Sequence, residues 1–175
     1  MTNKTITILG CGVAGSWIAQ HLSSLGCSDF VLYGDYPMTS SLVSKGPFLK
    51  STLSEGNGSS AATLAVQIKS INPASTVEVH EHFEQGKNDD RLRGFVVGEL
   101  SSMANCMSAF RTAKEQGLQW ISLGLPSTRD GTAVVVTDPS ELDAAEHLGK
   151  PIQSKQEIMV EAAKIAAIVT SALAA

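Results

Sequence analysis

The sequence predicts a three-layer α/β domain: a mostly parallel sheet with helices on both faces. Three observations carry this. Short apolar or alternating runs recur along the 175 residues, separated by helix-length amphipathic segments. The first run, TITIL at 5–9, leads directly into a glycine-spaced loop, LGCGVAG at 9–15. A second run, DFVLY at 29–33, follows the next helical segment and completes a strand–loop–helix–strand unit. Strands that alternate with helices build parallel sheets, because a parallel pair needs a long crossover and a helix provides it.

Each element has its own signature. Residues 5–9 alternate Thr and Ile, the period of a strand. A helix is expected from Ala14 to Leu25, with Trp17, Ile18, His21, Leu22 and Leu25 at helical spacing and Gly26 as its stop. Gly34 to Asn57 is rich in Ser, Gly and Pro and reads as one long structureless connection, a length more often functional than idle. A helix follows from Ser59 to Ile71, with Leu64, Ile68 and Ile71 on one face, and NP at 72–73 ends it. TVEVHEHF is an alternating strand, and FVVGE at 95–99 a buried parallel one. Residues 102–116 form a helix closed by Gly117; LQWISLG and TAVVVT are two more strands. A polar connector at 138–153 precedes a last helix from Ser154. Repeats and domain linkers are absent from the sequence, so residues 1–175 read as a single domain.

Composition excludes several classes. Apolar residues make up 43% of the chain and charged ones 17%, a globular balance. The net charge is −4 and Lys and Arg are not clustered, which argues against a nucleic-acid partner. Cys11, Cys27 and Cys106 form no C-x-x-C pair, so no zinc site is expected, and an odd, scattered set fits a reducing compartment. A secretory leader is not visible at the start, and the apolar C-terminal stretch carries Glu161 and Lys164, which suits it poorly to a membrane. The expected location is cytoplasmic.

The loop G10-C-G-V-A-G15 has the spacing G-x-G-x-x-G. Gly10 allows a tight turn, Gly12 lets phosphate oxygens approach the backbone, and Gly15 lets helix and strand pack closely. The helix N-terminus offers free N–H groups and the positive end of a dipole to an anion. Asp35, at the end of the second strand, stands where a ribose-binding carboxylate belongs. This Rossmann-like unit fits NAD(P) or ATP, and tight packing alone would also explain the glycines. The cofactor-binding candidates are Gly10, Cys11, Gly12, Val13, Ala14, Gly15, Asp35 and Lys45.

The stretch ILGCGVAGSWIAQHLSSLGCSDFVLYGD resembles the ThiF/MoeB-type adenylyltransferases of the ubiquitin-activating superfamily. IKSINP and QWISLGLPSTRDGTAVVVTDP resemble two further elements of that family, in order along the chain. The resemblance implies ATP with Mg as cofactor and a carboxylate of a carrier protein or peptide, ubiquitin-like or sulfur-carrying, as acceptor. It also implies a homodimer, or a heterodimer with a related subunit. An NAD(P)-binding oxidoreductase unit is the other class; 175 residues leave it no room for a substrate domain.

The family's chemical residues are mostly replaced. SSLVSKGPF stands where the family has S-N-L-x-R-Q, so Ser41 replaces the Asn and Ser44 the Arg, with Lys45 beside it. GSSAA puts Ala61 where the family has a Lys, and GELSS puts Ser101 near its metal-binding Asp, with Glu99 in another register. A segment before the first strand, from which the family donates an Arg to its dimer partner, is not expected here. The connector 138–153 holds no cysteine for a thioester. Loss of one transition-state donor costs about a hundredfold to a thousandfold in rate. The expectation is therefore a degenerate member, a noncatalytic subunit or binding module. An active, divergent adenylyltransferase using Lys45, Arg129 and Asp130 is the alternative.

Other residues have plainer readings. His80 and His82 fall on one face of a strand and are expected on an exposed polar edge rather than on a metal. Cys106 reads as a small core residue, and Cys11, though beside a helix N-terminus, as a small loop residue. In the last helix Ile158, Ala162, Ile165, Val169 and Leu173 make one apolar face, and Met159, Ala163 and Ala166 a second; a helix apolar most of the way round is either core or a subunit contact, and an oligomer interface is expected.

Overall fold

The computed structural model describes residues 4–34, 37–53, 56–84, 86–87, 91–98, 103–123, 135–136 and 155–174. In chain order they form β1 (Ile6–Leu9), α1 (Val13–Ser24), β2 (Asp29–Tyr33), α2 (Ser40–Lys45), α3 (Lys50–Leu53), α4 (Ser60–Ile71), β3 (Thr76–His80), β4 (Phe95–Gly98), α5 (Met103–Glu115), β5 (Gln119–Leu123), β6 (Val135–Val136) and α6 (Lys155–Ala174). The sheet order is β3-β2-β1-β4-β5-β6. The first five strands are parallel, with Ile6 level with both Phe30 and Phe95, and β6 runs antiparallel to β5. This is the mostly parallel α/β sheet expected from the sequence.

Side-chain alternation assigns the two layers. Ile6, Ile8, Phe30, Leu32, Phe95 and Val97 share a core with residues of α1, α4 and α6. Leu9, Val31, Tyr33, Val96 and Trp120 share the other with Ala109 and Ala113 of α5. The inner strands are buried on both faces, which is why they read as unbroken apolar runs. The chain runs outward from β1 through β2 to β3, then returns to β4 on the other side of β1. Strand order therefore reverses between β1 and β4, and ligands of open α/β sheets bind beyond the strand C-termini at such a reversal.

Several boundaries differ from expectation. The connection after β2 is not structureless: it holds α2 and α3. Thr39 caps α2, its hydroxyl accepting from the Leu42 N–H at 3.1 Å. The alternating run at 76–83 stays a strand only to His80. Leu25 and Ile71, expected on apolar faces, end their helices and are 42% and 38% exposed. Ala166 lies in the core rather than on a second face of α6, whose exposed apolar residues include Met159, Val160 and Ile168. No helix of the described residues is long and apolar enough to cross a membrane.

Candidate functional site

The glycine loop leaves β1 where the strand order reverses. Gly10 takes φ +97°, a backbone region that L side chains rarely adopt, and its N–H donates to the Tyr33 carbonyl at 2.9 Å. Gly12 is the N-cap of α1 with φ −75°, so its backbone would accept any residue; glycine there keeps the approach to the helix end open. Gly12 has no side chain to cap this end, and no acidic residue occupies the first turn. The positive dipole end therefore has no carboxylate from its own first turn beside it, which suits an anion. Ser16 reaches back, its buried hydroxyl donating to the Cys11 carbonyl at 3.2 Å, and so stitches loop to helix. Cys11 is fully buried, in keeping with a small packing residue.

The crossover after β2 is fastened over α1 and α4. The Trp17 indole N–H donates to the Lys45 carbonyl at 2.9 Å. The buried Gln67 amide of α4 donates to the Pro47 carbonyl at 2.8 Å and to Gln20 Oε1 of α1 at 2.7 Å, and its own oxygen accepts from Leu49 N–H at 3.1 Å. Leu42 and Phe48 enter the core beside Trp17. Lys45 is thus the last residue of an anchored helix, with its side chain exposed. The sequence marked Trp17 only as an apolar helix residue and left Gln67 unremarked; an N–H donor and an amide facing inward give no periodic signal.

No protein-family model matches the chain, and no curated protein matches it in sequence. Solved structures do match. E. coli MccB with ATP superposes with a TM-score of 0.69 at 12% identity, over 96% of this chain and 56% of that one. MccB with AMPCPP and selenomethionine MccA gives 0.72 at 15% identity, over 98% of this chain and 56% of that one. E. coli tRNA N6-threonylcarbamoyladenosine dehydratase, TcdA, gives 0.62 at 18% identity, over 79% and 56%. The chain has a ThiF/MoeB-type fold. It spans about half the length of these neighbours, and TcdA is also solved with AMP and with ATP.

Against the ThiF-type pattern, the start of α4 is informative. Ala61, expected from the sequence at the position of the family Lys, is fully buried. Its Cβ lies against Gly34 at the end of β2, so closely that a Cβ on Gly34 would stand 2.6 Å from it. The helix start is packed tightly onto the strand end. Ser41 and Ser44 are exposed on α2; the Ser44 hydroxyl turns back to the Ser41 carbonyl at 3.0 Å. Asp35, Glu99, Ser101, Arg129, Asp130 and the connector 138–153 lie outside the described residues. Among the described residues no three His, Cys, Asp or Glu side chains are grouped to hold a metal.

The two histidines part company. His80 ends the edge strand, stacked on Tyr33 with ring centroids 4.8 Å apart. Its Nε2 meets Glu78 Oε1 at 2.7 Å and its Nδ1 meets Arg91 Nη1 at 3.0 Å. An arginine can only donate, so Nδ1 accepts and Nε2–H donates to the carboxylate. Arg93 also donates to Glu78. Burial pushes the Glu78 carboxyl up, but the hydrogen bond from His80 and the charge of Arg93 outweigh it, and its pKa lies below the ordinary value. His82 lies beyond the strand and is exposed, so the expected pairing of the two on one strand face does not form. The polar edge itself is as expected, and charged groups there discourage strand-to-strand association.

Proposed function

We propose that this chain is a ThiF-like domain that holds a nucleotide phosphate at its glycine loop and works as a noncatalytic subunit or binding module. It pairs with a related chain, a small carrier protein or a peptide rather than adenylating one. The observation that carries the reading is Ala61 packed against Gly34: a buried methyl stands at the position that the resemblance gives to the family Lys. The N-terminus of α1, with glycine at its N-cap and no acidic residue in its first turn, supports anion binding by Gly10, Cys11, Gly12, Val13, Ala14 and Gly15. Asp35 is assigned to the ribose and Lys45 to the phosphates; Arg129 and Asp130 complete the candidate set. Residues 1–175 act as one domain in this reading. The solved neighbours with ATP, AMP and AMPCPP favour adenine nucleotides over NAD(P). MccB with MccA favours a peptide-class partner. The exposed Met159, Val160 and Ile168 offer a dimer partner apolar side chains on the outer part of α6.

A second reading, an active but divergent ATP-dependent adenylyltransferase, draws on the anchoring of Lys45 by Trp17. The primary test is thermal denaturation with ATP-Mg, AMP, NAD and NADP. A nucleotide at a hundredfold excess over its Kd adds about 2.7 kcal/mol, several degrees for a domain of this size. ATP and AMP are expected to raise the midpoint and NAD and NADP to leave it unchanged. Stabilisation by NAD or NADP alone overturns the reading.

A further inference from the structure

We infer that Trp17 is a positioning residue for the glycine loop: through the Lys45 carbonyl it sets the root of the one cation that the anchored segment of the crossover, 40–49, brings to the phosphate site. The inference rests on reading that loop as a phosphate site, and goes beyond it by assigning a role to a residue that touches no ligand.

The geometry is built from three facts. Lys45 is the C-terminal residue of α2, and its carbonyl has no partner within its own helix; the Trp17 N–H supplies one at 2.9 Å. Trp17 lies five residues after the Gly12 N-cap, so its Cα is about 7 Å up the α1 axis from the loop. Helical side chains lean over the turn N-terminal to their own Cα, which carries the indole, and the carbonyl bonded to it, back toward the loop. In this proposal the four methylenes of the Lys45 stem, rooted there, carry its ammonium toward the loop.

The anchor matters because lysine is a point charge on a flexible stem. Its rotamer freedom is lost on binding whatever its root does, so a root that also wanders adds a second ordering cost. Leu42 and Phe48 press the crossover onto α1 through apolar contact, which has no direction. The indole N–H is directional and selects one register of that contact. Gln67 fixes the next residues, Pro47 and Leu49, but contacts α1 at Gln20, one turn further from the loop. Of these two anchors Trp17 is therefore the one nearer the glycine loop along α1.

The test is a double-mutant cycle on the full chain, Trp17→Phe against Lys45→Ala, read by calorimetric titration with ATP and separately with adenosine. Each single variant is expected to weaken ATP about tenfold, the worth of one charge-assisted contact. The double variant is expected to be no weaker than Lys45→Ala, and adenosine affinity to stay within twofold throughout. Additive losses, or equal losses for adenosine, overturn the inference and leave the phosphate-site reading standing. Failure of the wild type to bind ATP overturns both. If Trp17→Phe does not fold, Trp120→Phe leaves Trp17 as the one tryptophan. ATP must then shift its emission and Lys45→Ala must abolish the shift; an unaltered shift in the Lys45→Ala background overturns the inference.

Discussion

Gly34 and Ala61 define each other. The strand end can approach the helix start only because one has no side chain and the other a methyl. Gly34→Ala is expected to cost about 1–3 kcal/mol in urea unfolding, the usual penalty of overpacking. Ala61→Lys is expected to cost more, because a lysine would be forced into a fully buried position. It is also expected to bring no gain in ATP affinity, which titration of the variant checks. Glu78 makes a different residue-scale prediction. Its folded pKa lies below the ordinary value, so it stabilises the fold above that value and loses the contribution as pH falls from about 4.5 through the folded pKa. The wild type should lose stability over that window more steeply than Glu78→Gln. Glu78 is 41% exposed, so the difference should be small and should shrink in high salt.

At the scale of elements, the crossover and α6 carry most of what is distinctive. Gln67→Leu removes an acceptor for the Leu49 N–H and a donor to the Pro47 carbonyl. Leaving such groups unsatisfied costs about 1–3 kcal/mol each, and hydrogen exchange at the Leu49 amide should quicken far more than exchange in β1. Ile165 of α6 is buried in the same core cluster as Ile18 and Leu22 of α1, and Ile165→Ala should cost about 2–5 kcal/mol in the same unfolding measurement. These elements also mark what the sequence could and could not disclose. The inner strands and α1, α4, α5 and α6 were legible because each buries an apolar run or stripe with the right period. The two short helices of the crossover were not: six and four residues are too few for a period, and what orders them is an indole, an amide and a capping hydroxyl supplied by tertiary contact. The strand at 76–83 was overextended for the opposite reason, since alternation continues after the ladder has ended at His80.

The whole molecule is a ThiF-type scaffold with a glycine loop where its strand order reverses. The loop was legible because Gly10 needs its φ and Gly12 its open space, and both requirements write themselves into the residue type. Ala61 was legible as a departure from the family pattern; that it packs against Gly34 is a fact of packing between residues 27 apart in sequence. Anchoring of Lys45 was not legible, because it runs through a backbone carbonyl. The central claim is that the scaffold holds a nucleotide without activating a carboxylate. ATP–pyrophosphate exchange tests it most directly, run on the purified chain with ATP-Mg and candidate carrier proteins and peptides at saturating concentration. Exchange at the level of a no-enzyme control is the predicted result. Exchange at rates typical of adenylating enzymes, abolished by Lys45→Ala, would contradict the claim and establish the divergent adenylyltransferase instead.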